Sequence, residues 1–163
     1  MRMSEGVEWA IHCCTVLATL PPQSTLPAAK LAELHGVAGP YLAKHLQALS
    51  GAEILEAVPG PRGGYRLARP APDITLYEIV AAVDGSDRSF RCDEIRRQGP
   101  AGVADPSAYR TPCTIAQAMW RAEDAWRREL EAVSVGDIVA GLAGAVDPRQ
   151  ATASLVWIRN ALR

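Results

Sequence analysis

Residues 28–49 read AAKLAELHGVAGPYLAKHLQAL, and this stretch decides the fold. Two apolar-patterned segments, 28–34 and 40–49, flank a turn that contains Gly36. Leucines recur three or four positions apart in both segments, as they do on the buried face of a helix. Two short helices joined by a glycine-containing turn form a helix-turn-helix. Taken alone, the stretch fits an ordinary helical hairpin as well as a DNA-binding motif.

The segment that follows favours DNA binding. Residues 54–58 and 65–68 predict two strands, and the turn between them is rich in glycine and carries Arg62. A hairpin with a basic tip directly after a helix-turn-helix is a wing, which brings positive charge to the phosphate backbone. A plain surface hairpin is the alternative. The side chains predicted to contact DNA are Tyr41, Lys44, His45, Arg62 and Arg66.

The remaining elements are helices and one long loop. A helix over 4–19 comes first, and a helix after Thr75 has the capping-box residue Glu78 three positions on. Residues 114–131 predict a long amphipathic helix for dimerisation, and two further helices follow it. The predicted fold is mainly α with a small β-wing (α+β). Its segments are a winged helix-turn-helix at 1–85, a loop at 86–112, and the dimerisation and C-terminal helices at 113–163.

Composition excludes several classes of protein. The chain has 163 residues, a net charge of −1 and 48% hydrophobic residues, which suits a packed domain. No apolar run approaches the roughly 20 residues of a membrane span, and no signal peptide is recognisable. The cysteines do not form a disulfide framework, which is typical of a reducing compartment. We expect a soluble cytoplasmic protein, and not an enzyme, because no nucleophile–base pair or phosphate-binding loop is present.

Two separated pairs of residues form a candidate metal site. Glu8 and His12 are four positions apart on the first predicted helix, so they share a face. Cys92 and Cys113 lie near or just beyond the ends of the loop. Together the pairs offer two thiolates, an imidazole and a carboxylate, which suits a small iron–sulfur centre. Alternatively, the first pair is an ordinary exposed pair, and the cysteines are buried thiols, a dithiol sensor or half of a zinc site.

Three motifs in this sequence resemble the Rrf-two family of bacterial winged-helix regulators. They are YLAK at 41–44, GPRGGYRLAR at 60–69, and ITL at 74–76 continuing to AVDG at 82–85. The resemblance covers about residues 4–131. It implies a dimeric transcription factor that binds a double-stranded DNA operator, and many family members bind an iron–sulfur cluster. The operator sequence, the target genes and the physiological signal are not encoded in any pattern of the chain.

The resemblance is strongest to the RsrR-like branch of the family. Many members carry three cysteines before the long helix, whereas this chain has only Cys92 and Cys113 there. In the RsrR-like branch, two cysteines with a Glu and a His of the first helix hold a [2Fe–2S] cluster. The resemblance thus implies that Cys92 and Cys113 hold one iron and that Glu8 and His12 hold the other, with the ligands shared between protomers.

The sequence therefore predicts a homodimeric repressor-type regulator that senses redox state through a [2Fe–2S] cluster. Trp9, next to Glu8, is the candidate switch residue. The first alternative is a cluster-free winged-helix regulator that switches by a Cys92–Cys113 disulfide. The second is a small electron-transfer or thiol-oxidoreductase protein, which the absence of a C-x-x-C motif disfavours.

Overall fold

The computed structural model describes residues 3–61 and 63–162, so Arg62 lies outside the described residues. Its helices and strands follow the predicted order. They are α1 (Glu5–Ala18), α2 (Ala28–His35), α3 (Gly39–Gly51), β1 (Leu55–Val58), β2 (Gly64–Leu67), α4 (Leu76–Asp84), α5 (Thr114–Glu131), α6 (Val135–Ala145) and α7 (Pro148–Ala161). This arrangement of many helices with one small antiparallel sheet confirms the predicted mainly α fold with a β-wing.

The chain divides into two compact units. The winged-helix unit contains residues 3–86 together with 130–162, and the cysteine unit contains residues 87–129. This division differs from the predicted segments, because α6 and α7 join the winged-helix unit while α5 joins the loop that precedes it.

One apolar core organises the winged-helix unit. Helix α1 contributes Ala10, Cys13 and Cys14, which are fully buried, and Leu17 lies one turn further along. Burial raises the pKa of the Cys13 thiol to about 12, and burial followed by the neighbouring Cys13 raises that of Cys14. Both thiols therefore stay protonated and behave as small apolar side chains, as expected from their place on an apolar helix.

The helix-turn-helix packs its leucines onto this core. Leu31 of α2 and Leu42, Leu46 and Leu49 of α3 are all fully buried. Helix α2 ends at Gly36, whose φ of 64° lies in the left-handed region that favours glycine. The turn therefore depends on a residue without a Cβ, and the second helix leaves it with its leucines facing inward.

The wing is a two-stranded hairpin that a third segment extends. Strand β1 pairs with β2 in antiparallel register, with Leu55 opposite Leu67. Leu26 and Tyr65 exchange backbone hydrogen bonds at 3.1 and 2.8 Å, which ties the start of the helix-turn-helix to the hairpin. Gly64 allows this approach, because a Cβ there would lie 2.4 Å from the Leu26 carbonyl carbon.

Helices α4 and α6 each begin with a capping box, and the two helix starts are paired through the backbone. The Thr75 hydroxyl accepts from the Glu78 amide, and the Ser134 hydroxyl accepts from the Asp137 amide. Between the two caps, the Val135 amide donates to the Ile74 carbonyl at 2.9 Å, and Val135 is fully buried. The chain after α5 thus returns to the winged-helix core through backbone pairing as well as apolar burial.

The predicted loop has internal structure. Short 3-10 turns cover Ile95–Arg97 and Pro106–Tyr109. The Tyr109 hydroxyl accepts from the Val103 amide at 2.7 Å and donates to the Arg96 carbonyl at 3.2 Å. These contacts make the segment an ordered loop, which the loss of hydrophobic periodicity in the sequence did not predict.

Within the described residues, no helix has the length and apolar character needed to cross a bilayer.

Candidate DNA interface and metal centre

The exposed face of α3 carries two of the predicted DNA contacts. Lys44 is exposed, and Tyr41 is 46% exposed although its ring touches other aromatic rings. The Tyr41 ring lies edge-on to Trp9 of α1, with centroids 5.3 Å apart. An ammonium group and a phenol on the open face of the second helix suit contact with phosphates and base edges.

His45 is a correction to the predicted DNA contacts. It is only 6% exposed, and its ring lies against Gly6 of α1, where an added Cβ would come within 2.4 Å. The ring also stacks edge-on against Tyr41 at 4.8 Å. Burial lowers the pKa of His45, Lys44 acts in the same direction, and Asp84 opposes them. His45 therefore packs α3 against α1, and its burial leaves little of the ring exposed for the predicted DNA contact.

The two wing arginines predicted to contact DNA are Arg62 and Arg66. Arg62, the predicted tip contact, lies outside the described residues. Arg66 makes a bidentate ion pair with Glu56 across the hairpin, at 2.8 and 3.0 Å, and also donates to Gln23. The hydrogen bond to Glu56 raises the pKa of Arg66 further above its usual value. Contact between Arg66 and a phosphate therefore competes with a pair already formed within the chain.

Glu8 and His12 line the same surface groove. The groove has a volume of about 480 Å³, and Met3, Val7 and Ile11 supply apolar walls beside the two polar side chains. Both Glu8 and His12 are exposed, as their spacing on α1 predicted. The N-terminal end of this helix is fixed by Ser4, whose amide and hydroxyl donate to Asp84. The carboxylate and the imidazole are thus presented together on a positioned helix.

His35 is a neighbour of this pair that the sequence did not connect with it. Its ring centroid lies 5.6 Å from that of His12. Burial lowers the pKa of His35, and the charge of His12 lowers it further. Its Nε2 atom is buried, with no hydrogen-bond partner among the described residues. The end of α2 therefore places a second imidazole beside the predicted ligand.

Cys92 and Cys113 are the free, partly exposed thiols of the cysteine unit. The Cys113 sulfur accepts a hydrogen bond from the Ala116 amide at 3.3 Å, so its side chain points to the first turn of α5. The charges of both cysteines raise the pKa of Arg96, although less than its hydrogen bond to Glu94 does. Two thiols that are 21 positions apart in the sequence therefore both lie within electrostatic range of one guanidinium.

A polar network anchors the start of the loop to α5. The Ser89 amide donates to Glu123 at 3.1 Å, and the Trp120 indole donates to the Phe90 carbonyl at 3.4 Å. Arg88 pairs with Asp124 at 2.8 Å. Burial raises the pKa of Glu123, but hydrogen bonds from Arg127, Ser89 and Phe90 outweigh burial and leave it below its usual value. A buried carboxylate thus holds the segment that leads to Cys92.

Sequence patterns missed Arg96, Glu123 and Tyr109. A run of charged residues around Cys92 was visible, but a charge run on a loop gives no indication of which members pair. Among residues 3–61 and 63–162, no group of three or more His, Cys, Asp or Glu side chains is close enough to hold a metal ion. The described chain therefore presents two ligand pairs, each within one unit.

The sequence matches the Rrf2 (Rrf-two) family, described as "Iron-dependent Transcriptional regulator", over residues 3–141. The chain belongs to the Rrf2 family. YwgB of Bacillus subtilis, an HTH-type transcriptional regulator by name, is 30% identical over 126 residues, which cover 77% of this chain and 76% of YwgB. The regulator IscR of Vibrio atlanticus is 32% identical over 92 residues, covering 56% of this chain and 53% of IscR.

The fold is also similar to that of solved Rrf2 relatives. The structure of CymR, the global cysteine regulator of Bacillus subtilis, superposes with a TM-score of 0.64 at 18% identity, covering 86% of this chain and 97% of CymR. The Rrf2 relatives are transcriptional regulators and not enzymes, which confirms the prediction that the chain is not an enzyme. The chain is thus an Rrf2-family DNA-binding transcriptional regulator.

Proposed function

We propose that this Rrf2 protein is a homodimeric cytoplasmic transcriptional regulator whose DNA affinity follows the redox state of a [2Fe–2S] cluster. The observation that carries the proposal is the placement of Cys92 and Cys113, which are both free and partly exposed, on two stretches of chain that Arg96 joins through Glu94 and the Thr111 carbonyl. The cluster ligands in this proposal are Cys92, Cys113, Glu8 and His12.

The chemistry of these donors fits the cluster. Thiolates are the usual ligands of iron in such clusters, and histidine replaces two of them in Rieske centres with an increase in potential. The two thiols reach this role without breaking a disulfide. Glu8 and His12 line one groove and are open to a ligand. A bound [2Fe–2S] cluster supplies one-electron oxidation and reduction.

The protein residues have separate tasks in this proposal. Cys92 and Cys113 would hold the cluster together with Glu8 and His12 of the second protomer. A metal-bound histidine usually donates a hydrogen bond from its second ring nitrogen, and this bond fixes the orientation of the ring. His12 would need such a partner as a ligand. Trp9 adjoins Glu8 in the chain and contacts Tyr41 on the exposed face of α3. We assign Trp9 the role of passing a change at the α1 ligands to the DNA-binding helix.

Dimerisation is assigned to α5. Ile115 is 69% exposed and Met119 is 44% exposed in the single chain, one turn apart on the same helix. Large apolar side chains that are exposed at helical spacing are typical of a surface that a second copy covers. Winged-helix regulators commonly bind two half-sites of an operator as two-fold dimers.

The cheapest test of the cluster is the visible spectrum of anaerobically purified protein. Broad charge-transfer bands that bleach with dithionite, together with iron and sulfide contents near two per chain, are expected. His12→Ala should remove or alter these bands while the far-ultraviolet circular dichroism stays that of the native fold. The matched control is His35→Ala, which changes the neighbouring imidazole. A colourless wild-type protein without iron or sulfide overturns the proposal.

A mixed dimer tests whether the ligands are shared. One protomer carries Cys92→Ala with Cys113→Ala, and the other carries Glu8→Ala with His12→Ala. If ligands are shared, the mixed dimer keeps one complete site, whereas each homodimer of the variants keeps none. Recovery of about half the wild-type iron per dimer supports sharing. Absence of iron in the mixed dimer shows that all four ligands come from one chain.

DNA contact is tested at Arg62 and Lys44. Arg62→Ala should weaken binding to any DNA sequence. It should also reduce the slope of log affinity against log salt concentration by about one, which corresponds to one lost phosphate contact. Lys44→Ala should weaken binding through loss of an exposed cation on α3. The control is Lys30→Ala, since Lys30 pairs with Glu33 at 2.8 Å on α2. Equal salt slopes for wild type and Arg62→Ala contradict the wing assignment.

A second candidate function uses the same two thiols without iron. Because Cys92 and Cys113 are both free and partly exposed, an oxidant can reach them, and the switch in this candidate is a disulfide between them. The observation that favours this candidate is that Arg96 joins the stretch after Cys92 to the stretch before Cys113, through Glu94 and the Thr111 carbonyl. In this case the purified protein is colourless, and its DNA affinity changes with the glutathione redox potential. The Cys92→Ser variant then loses the response.

A further inference from the structure

We infer that Arg96 is the positioning residue of the cysteine pair, and that its guanidinium clamps the two ends of the cysteine-bearing loop and sets the redox potential of the sulfurs. The inference rests on the proposed function in assigning both thiols to one redox site. It adds to that proposal a positioning residue, which is neither a cluster ligand nor a reacting group.

The clamp is visible in the hydrogen bonds of Arg96. Its side chain pairs with the Glu94 carboxylate at 2.5 and 2.8 Å, and Glu94 is two positions after Cys92. The same guanidinium donates to the Thr111 carbonyl at 3.1 Å, and Thr111 is two positions before Cys113. One side chain therefore ties together the two stretches of chain that carry the sulfurs.

The backbone next to the clamp is held in an uncommon conformation. Glu94 has φ 50° and ψ 55°, in the left-handed region, which is unfavourable for a residue with a Cβ. Its carboxylate is 18% exposed on the side-chain scale, against 41% for Arg96. The ion pair is therefore partly shielded from water, so that it can hold the strained residue in place.

A second contact fixes the guanidinium from the other side. Arg96 lies over the ring of Tyr109, 5.5 Å from its centroid, and the Tyr109 hydroxyl donates to the Arg96 carbonyl at 3.2 Å. Arg97 also lies over this ring, at 5.2 Å. Arg96 differs from Arg97 in two respects. Arg96 makes the hydrogen bond to the Thr111 carbonyl, and the charges of both cysteines raise its pKa. Arg97 is thus a matched control with the same charge and the same ring contact.

The charge of Arg96 has a predictable sign. A cation near two sulfurs stabilises the reduced state of the pair where that state is the more negative one, as it is for free thiolates and for a reduced iron–sulfur cluster. Its removal also leaves the Glu94 carboxylate uncompensated two positions from Cys92. Both changes favour the oxidised state, so that Arg96→Gln should lower the reduction potential. Arg96→Lys keeps the charge but loses the fork that binds Glu94 and Thr111 together.

The first experiment uses iron-free protein in glutathione buffers at a fixed pH of about 9, where an ordinary thiol is ionised to a large extent. Two thiols and one glutathione disulfide give one Cys92–Cys113 disulfide and two glutathione molecules, which carry away both protons. Arg96→Gln should raise the equilibrium constant for protein disulfide formation about tenfold, or about 30 mV for this two-electron couple. Arg97→Gln should stay within about twofold of wild type, and Arg96→Lys should lie closer to wild type than Arg96→Gln.

Hydrogen exchange separates clamping from charge. Amides around Cys92 and just before Cys113 should exchange faster in both Arg96→Gln and Arg96→Lys, and at the wild-type rate in Arg97→Gln. If both Arg96 variants match wild type in exchange, the clamp is refuted. Equal shifts of the glutathione equilibrium in Arg96→Gln and Arg97→Gln refute the charge role, because they show a general effect of loop charge.

The final measurement is the midpoint potential of anaerobically purified protein that contains iron and sulfide. Arg96→Gln should lower it relative to both wild type and Arg97→Gln. An unchanged potential overturns the role of Arg96 while the cluster proposal stands. If wild type contains no cluster, the proposed function fails, and the glutathione equilibrium and hydrogen exchange decide the role of Arg96 by themselves.

Discussion

The winged-helix unit and the cysteine unit are stabilised by different interactions. Among the described residues, the buried apolar side chains lie in the winged-helix unit, with Ala116 as the exception in the cysteine unit. The cysteine unit is instead joined by Arg88 with Asp124, Glu123 with Ser89, and the Arg96 clamp. An apolar core resists partial opening, whereas polar contacts open one at a time at a lower cost. The comparison predicts that the cysteine unit opens locally at a lower free-energy cost than the winged-helix unit.

The largest expected effect tests the core of the winged-helix unit. Leu46→Ala removes a fully buried side chain of α3 and should reduce the free energy of unfolding by about 2–5 kcal/mol. Urea denaturation followed by circular dichroism measures this loss. The control is Leu155→Ala, because Leu155 is 60% exposed and its replacement should change stability by about 0.5 kcal/mol or less. Equal losses in the two variants would contradict the assignment of the core.

The next effect concerns the anchor of the cysteine unit. Glu123→Gln weakens hydrogen bonds from Ser89 and Arg127 to a carboxylate that is only 5% exposed. The cost should be about 1–3 kcal/mol and local, so that amides at 88–92 exchange faster. Glu129→Gln, an exposed position on the same helix, is the control. Faster exchange throughout the winged-helix core would show that the two units do not open independently.

A pH effect tests the buried polar residue of the winged-helix unit. Because burial lowers the pKa of His45, the unfolded chain takes up a proton as the pH falls below about 6.5, before the folded chain does. Stability should therefore fall with decreasing pH in this range, and His45→Gln should flatten the dependence. His35→Gln should remove a separate part of it, since burial and His12 lower the pKa of His35 too. If neither variant changes the slope of stability against pH, the two buried histidines are not the source of the pH dependence.

The smallest expected effect is that of a partly exposed ion pair. Arg88→Met removes the pair with Asp124, in which both side chains are 41% exposed and solvent screens the charges. The cost should be at most about 1 kcal/mol. Urea denaturation monitored by tryptophan fluorescence measures it, with Arg121→Met as the control on the exposed side of α5. A loss as large as that in Leu46→Ala would show that the cysteine unit depends on this pair more than its exposure indicates.

Periodicity and turn residues predicted the helices and strands well. Leu31, Leu42, Leu46 and Leu49 were assigned to the core from their spacing, and all four are fully buried. The capping box of Thr75 and Glu78 was also correct. These predictions succeeded because helical spacing and caps involve neighbours within a few positions, so that the interacting partners are visible in the sequence itself.

The candidate site was less predictable from sequence. The spacing of Glu8 and His12 gave their shared face, but it could not reveal His35, which reaches His12 from another helix. The same limit applies to Arg66, whose pair with Glu56 depends on the hairpin register. Arg96 was one of many charged residues in an aperiodic stretch. Contacts between distant segments depend on the folded path of the chain, which local patterns do not encode.

The sequence by itself determined the family, the winged-helix fold and the identities of the candidate ligands, because motifs and hydrophobic spacing are local properties. Only the tertiary structure decided that His45 is buried against Gly6, that α6 and α7 join the winged-helix unit, and that Arg96 connects Glu94 with Thr111. The physical reason is that burial and charge pairing depend on which distant segments meet. A side chain of one type can therefore contact DNA on an open face or pack inside the protein on a covered one.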